Sequence, residues 1–131
     1  MIINIEDAIY HKNFHLVINE SNEEFIKSLE DYHTDKPKEN KEAKNLIANC
    51  KGCIVWVFEP FYYIYVKRYN GDIESRGVLA HEISHFVDYV FKGAGIPITY
   101  NNTEVRAYFL EYITKQCLKA LEEIKENDVK K

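Results

Sequence analysis

The chain has 131 residues, of which 46% are hydrophobic, 17 are Lys or Arg and 21 are Asp or Glu, so its formal net charge is −4. This apolar content suffices for one core, and a single domain over residues 1–131 is expected. The sequence lacks the basic stripe of a nucleic-acid binder, any run able to cross a bilayer and a signal-peptide pattern. We therefore expect a cytoplasmic protein that binds neither nucleic acid nor membranes.

The first third of the chain predicts one strand and two helices. Residues 14–18 form a short run with β-branched side chains, and residues 19–22 offer oxygens that can cap a helix. A helix is predicted over 23–32, with Phe25, Ile26 and Leu29 on one side. A polar connector is expected over 34–40 and a short helix over 42–49.

Three cysteines, an odd number, do not suggest a disulfide framework and favour a reducing compartment: Cys50, Cys53 and Cys117. The first two form a CxxC motif, which can be half of a zinc knuckle or a redox pair. No second CxxC or CxxH follows at knuckle spacing. The simpler interpretation places Cys50 at a turn and makes Cys53 a small apolar residue at the start of a strand.

The centre of the chain predicts a hairpin that leads into a helix. Two β-rich runs, 53–58 and 62–67, are joined by Glu59-Pro60-Phe61. The second run could pair with an extended substrate if it lies at a sheet edge. Asn70-Gly71-Asp72 then turns the chain into a helix that ends near Gly93 and Pro97.

A long C-terminal helix is predicted from about 104 to 126, with apolar residues at helical spacing, and the tail 126–131 is expected to fray. Together these elements predict an α+β fold, in which a small mixed or antiparallel sheet carries helices.

The central helix contains His81-Glu82-Ile83-Ser84-His85, an HExxH motif. At about 100° per residue, its apolar residues form one face, and His81, His85 and Asp88 lie together on roughly the opposite side. Two imidazoles at i and i+4 can bind one cation, while the Glu between them can contact a water molecule without binding the metal. The spacing predicts a zinc site.

A catalytic zinc site needs a third protein ligand. Glu104 is the first candidate, because a packed helix could bring its first turn to the His face. Glu111 lies on nearly the same side two turns later, and Asp88 lies one turn beyond His85. Asp88 is better suited to hold a His ring nitrogen than to complete the site.

The HExxH motif, followed by Asn102-Thr103-Glu104-Val105-Arg106-Ala107-Tyr108, resembles the gluzincin branch of the zincin metallopeptidases. It is also similar to small phage-encoded zincin-like proteins that pair HExxH with a downstream Glu-x-x-Ala-Tyr helix. The resemblance covers about residues 62–119. It implies a small zincin-like domain with zinc held by His81, His85 and Glu104.

The expected activity is zinc-dependent hydrolysis of peptide bonds in a peptide or protein substrate, with Glu82 as general base. Three residues are candidate donors to the developing oxyanion: Tyr100, Tyr108 and Arg106. The alternative is a catalytically inactive, zincin-like metal-binding protein that acts as an interaction module. The sequence does not indicate an oligomeric state.

Overall fold

The structure, a computed structural model, describes residues 1–130, with side chains described up to residue 127. It confirms the α+β class. The strands are β1 (Ile2–Ile5), β2 (Phe14–Ile18), β3 (Gly52–Phe58) and β4 (Phe61–Val66). The helices are α1 (Asn22–Tyr32), α2 (Pro37–Ile47), α3 (Ile73–Gly93) and α4 (Thr103–Lys130), and a 3-10 turn (Tyr100–Asn102) precedes α4.

The four strands form one mixed sheet in the order β1-β2-β4-β3. The β2–β4 pair is parallel, whereas β1–β2 and β3–β4 are antiparallel. Strand β4 therefore lies inside the sheet, and β3 is an edge. The second hairpin strand was expected to pair with a substrate only if it lay at a sheet edge, and this condition is not met because β2 and β3 occupy both of its sides.

Helices cover both faces of the sheet because side chains alternate along each strand. On one face, Leu16, Ile54 and Ile64 pack in a core shared with α3 and α4. On the other, Val17, Val55 and Tyr65 pack in a second core with α1 and α2. The result is a sheet between two helical layers, with α3 packed against β3 and β4.

The helices begin where local chemistry favours it. Ser21 and Glu24 form a reciprocal capping box at α1, as its capping residues suggested. Pro37 occupies the first turn of α2, so this helix begins inside the predicted polar connector. Helix α4 continues to Lys130, so the structure shows a helix over 126–130 of the tail predicted to fray, and residue 131 lies outside the described residues.

Strand β1 was not predicted from the sequence. Three of its four residues are Ile, but the run is short; it pairs only with β2, and Ile5 is its one buried residue while Ile3 packs partly buried against the core. Within residues 1–130, no helix combines the length and apolar character needed to cross a bilayer.

Candidate functional site

Helix α3 carries the HExxH motif and is positioned by its cap and its apolar face. The Ser75 backbone N–H donates to the Asp72 carboxylate at 2.8 Å, so one of the N–H groups that have no partner within the first turn of the helix is hydrogen-bonded. Leu79, Ile83 and Phe86 are buried in the core, as the sequence predicts. This packing fixes the rotation of the helix and leaves His81 and His85 in solvent.

The two histidines converge on one point. Their Nε2 atoms are 3.2 Å apart, and their rings meet edge to face with centroids 4.7 Å apart. Two nitrogens bound to a tetrahedral zinc at 2.0–2.1 Å would be about 3.3 Å apart. The same 3.2 Å separation is that of a hydrogen bond between the two rings, and it is close to the spacing of two ligands on one cation.

Glu82 lies beside this pair but points into the protein. Its side chain is only 7% exposed, and its Oε1 is 3.8 Å from His81 Nε2. Burial raises the pKa of this carboxyl, while the nearby His81 and His85 act in the opposite direction. A buried carboxyl with a raised pKa is better suited to accept a proton than an ordinary surface glutamate.

Gly52, at the start of β3, allows α3 to approach this closely. A Cβ at Gly52 would lie 2.8 Å from the Tyr65 carbonyl oxygen, 2.9 Å from Val78 Cγ1 and 3.1 Å from Glu82 Cγ. Any larger residue would press on α3 at Val78 and Glu82. The sequence contains no periodic signal for this contact, and Gly52 was not among the predicted site residues.

The free edge of β3 runs along the histidine face of α3. The Lys67 N–H donates to the Lys51 carbonyl at 2.9 Å. The backbone groups of Lys51 thus point toward β4. Because the direction alternates from residue to residue along a strand of an antiparallel pair, the backbone groups of Gly52 and Ile54 point away from β4. These residues therefore present unpaired hydrogen-bonding groups beside Glu82.

Two open cavities flank Gly52 at this edge, and Glu82 lines both. One, of about 560 Å³, also contains His81. The other, of about 380 Å³, contains His85 and extends past Trp56 and Tyr89, whose rings stack at 5.7 Å. An extended chain lying along β3 would thus pass over the two histidines and the buried carboxyl.

A third cavity, of about 570 Å³, lies outside this site, between the first turns of α1 and α3. Its lining contains basic and acidic side chains in close pairs: Lys51 with Glu74 at 3.6 Å and Arg68 with Asp72 at 4.0 Å. Because basic and acidic side chains are balanced in its lining, this cavity does not favour the binding of an anion.

Asp88 does not support a histidine ring, contrary to the sequence expectation. Its carboxylate accepts a hydrogen bond from Arg106 Nε at 2.7 Å, and Arg106 Nη2 donates to Ser84 Oγ at 2.7 Å. The guanidinium joins α4 to α3 through two donors. Arg106 is therefore occupied by helix packing and is not free to stabilise an oxyanion.

Glu104 is exposed in the first turn of α4 and does not form a metal-binding group with His81 and His85. Over the described residues, no three side chains of His, Cys, Asp or Glu come together as a metal-binding group. Glu111 instead pairs with Lys115 at 3.3 Å. Tyr100 and Tyr108, the other proposed donors, are 91% and 67% exposed.

No family model, curated protein or solved structure matches the chain. The resemblance to zincin metallopeptidases, and to the phage-encoded proteins like them, is wrong because the described residues form no metal-binding group of His, Cys, Asp or Glu. It required a third ligand on the helix after HExxH, and the described residues form no such group. The polar contact between α3 and α4 is instead made by Arg106 with Ser84 and Asp88.

His33, at the end of α1, is a buried polar residue on the opposite side of the sheet from α3. It is 3% exposed, stacks on Phe58 at 4.0 Å, and its Nε2 lies 2.9 Å from the Tyr63 hydroxyl. Burial lowers its pKa. It lies among residues of the α1–α2 layer, and no spacing pattern in the sequence marks it.

Proposed function

We propose that this chain hydrolyses peptide bonds in extended polypeptides, with a zinc ion held by His81 and His85 and with Glu82 as general base. The observation that carries the proposal is the 3.2 Å separation of the two Nε2 atoms beside a buried carboxyl. Imidazole nitrogens at this spacing suit zinc. The bound cation would supply Lewis-acid polarisation of the scissile carbonyl and of the attacking water.

The chain's own residues would do the remaining work. Glu82 Oε1 would take the proton from the attacking water and pass it to the leaving amine. The outward backbone groups of Gly52 and Ile54 would hold the substrate as an added strand, because a free sheet edge can pair with an extended chain. The substrate would then run over the HExxH face of α3.

Because the described residues supply two ligands rather than three, the expected affinity for zinc is weaker than that of a three-ligand catalytic site. Calorimetric titration of chelator-treated protein with zinc should show one ion per chain. His81→Asn and His85→Asn should each abolish binding. His11→Asn is the matched control, since His11 is exposed and its φ of 57° suits Asn.

Activity is tested with a broad library of peptides, with and without a chelator. Glu82→Gln should keep the zinc and the fold but lose at least about a hundredfold in turnover, the usual value of a positioned general base. Unchanged zinc binding in the His81/His85 double variant would exclude the metal site. Equal cleavage by wild type and Glu82→Gln would exclude the assigned base.

The second candidate is an inactive binding module that captures an extended segment of a partner at β3. It is favoured by the free strand edge next to an exposed Trp56, 47% exposed, and by the lack of a third ligand in the described part of the chain. Peptides retained by the protein without cleavage, with zinc present, would support this function over hydrolysis.

A further inference from the structure

The two cysteines of the CxxC motif lie on either side of the start of β3, with Cys50 in the connection after α2 and Cys53 inside the strand. The Cys50 N–H donates to the Ile47 carbonyl at 3.1 Å, which continues the turn beyond the end of α2. Cys53 is the second residue of β3 and pairs with Tyr65. Cys53 belongs to the core under α1 and α2, and Cys50 packs against the same core.

We propose that Cys50 and Cys53 form a reversible intramolecular disulfide by exchange with small-molecule disulfides. Cys50 is the partly exposed thiol and Cys53 is buried, so an external disulfide can reach only the first of them. Two residues separate the pair in sequence, a spacing found in redox-active dithiols.

The electrostatics of the two thiols agree with this division of roles. Their mutual interaction lowers the pKa of Cys50 and raises the pKa of Cys53, and burial raises the latter further. The thiolate is the attacking species in exchange, and it therefore forms preferentially at the accessible position. Cys117 differs, since it is fully buried in the other core.

The reaction balances with a low-molecular-weight disulfide such as oxidised glutathione. The Cys50 thiolate attacks one sulfur of that disulfide, breaks its S–S bond and releases one thiolate, which takes up the proton. Cys53 then loses its proton to solvent and attacks Cys50 Sγ in the mixed disulfide, expelling the second thiolate. Two protein thiols are oxidised and one small disulfide is reduced to two thiols.

This pair borders the candidate site. Lys51 and Gly52, between the two cysteines, line the cavity that contains His81 and Glu82. Cys53 lines the adjoining cavity with His85. The test below measures thiols alone, so its result does not depend on whether the histidine pair binds zinc.

The experiment equilibrates the full chain in buffers of reduced and oxidised glutathione, then blocks free thiols in denaturant and digests with trypsin. Trypsin cleaves after Lys51, between the cysteines, and yields peptides 45–51 and 52–67. A disulfide should link these two peptides, and reduction should separate them. Titratable thiols should fall from three to one, and the linked fraction should be the same when approached from either direction.

Variants assign the roles. Cys50→Ser should abolish both the link and glutathione addition. Cys53→Ser should stop at a glutathione adduct on Cys50, while Cys117→Ala should form the link as wild type does. Three free thiols in fully oxidised glutathione would overturn the proposal. So would a lasting adduct on Cys50 in wild type, or a disulfide between two chains.

Discussion

Gly52 shows how one missing side chain brings a strand edge and a helix together. Its Cβ position lies 2.8 Å from a backbone oxygen that cannot move without disturbing β4. Gly77, inside α3, lines the same cavity, and beyond the nearby backbone of its own helix no atom lies within 4 Å of its Cβ position. Replacing each of these two glycines by Ala should therefore change the stability of the protein in opposite directions.

Gly52→Ala should lower the free energy of unfolding by about 1–3 kcal/mol through overpacking. Gly77→Ala should raise it by roughly 0.5–1 kcal/mol, because Ala is the better helix former. Urea unfolding of both variants measures the difference. A Gly52→Ala protein as stable as wild type would contradict the close contact with Glu82 and Val78.

His33 makes stability depend on pH in a defined direction. Burial lowers its pKa in the folded state, and Lys36 and His15 lower it further while Asp35 opposes them. The unfolded-state value is about 6.5. Between the two pKa values the folded state thus binds fewer protons than the unfolded state. The contribution of neutral His33 to the free energy of unfolding is therefore complete above pH ~6.5 and is lost as the pH falls through the folded-state pKa.

His33→Gln, which can still bond to the Tyr63 hydroxyl, should lose less stability than wild type between pH 7.5 and pH 5. Denaturant unfolding across that range measures it. His15 also has a pKa lowered by burial, so a smaller pH dependence should persist. His11→Asn is the control and should follow wild type; an identical decline in His33→Gln would assign the effect elsewhere.

At the scale of elements, Arg106 makes the polar contact between α4 and α3, beside the apolar core that the two helices share. The guanidinium is 25% exposed and bonds Asp88 and Ser84 at 2.7 Å each. A planar fork can reach two acceptors at once, which a Lys ammonium on the same stem does less well. This one residue therefore carries the polar part of the contact at this end of the helix pair.

Arg106→Ala should destabilise the protein by about 1 kcal/mol, and Arg106→Lys should recover only part of that. Lys115→Ala removes an exposed ion pair with Glu111 on the same helix and should change stability by less than about 0.5 kcal/mol. A double-mutant cycle with Asp88→Asn measures the coupling. Additive losses in that cycle would contradict a direct Arg106–Asp88 interaction.

At the scale of the whole molecule, the two cores share the strands of one sheet. Ile64 faces the α3–α4 side and Tyr65, its neighbour, faces the α1–α2 side. Neither helical layer can separate without exposing residues of the same strands. The two layers should therefore unfold together.

Ile113→Ala in α4 and Ile47→Ala in α2 should each cost about 2–5 kcal/mol and shift one common transition. Fluorescence of Trp56, the single tryptophan, and far-ultraviolet circular dichroism should report the same midpoint. Leu46→Ala, next to Ile47 but 42% exposed, is the control and should change stability by about 0.5 kcal/mol or less. Separate midpoints for the two cores would contradict cooperative unfolding.

Local features of this protein could be predicted from its sequence alone. Four such features depend on residues within a few positions of each other: the capping box of α1, the Asp72 cap of α3, the β3–β4 hairpin, and the convergence of His81 and His85. Spacing determines such contacts directly, because helix and hairpin geometry is regular. The α+β class follows from the same local signals.

Tertiary structure alone decided the rest. Contacts between residues far apart in sequence determine three features: the edge position of β3, the burial of Glu82, and the pairing of Asp88 with Arg106 rather than with a histidine. Periodicity shows that α3 and α4 each have an apolar face, but not the angle or register at which those faces meet. That packing left Glu104 in solvent and placed Gly52 against the HExxH helix.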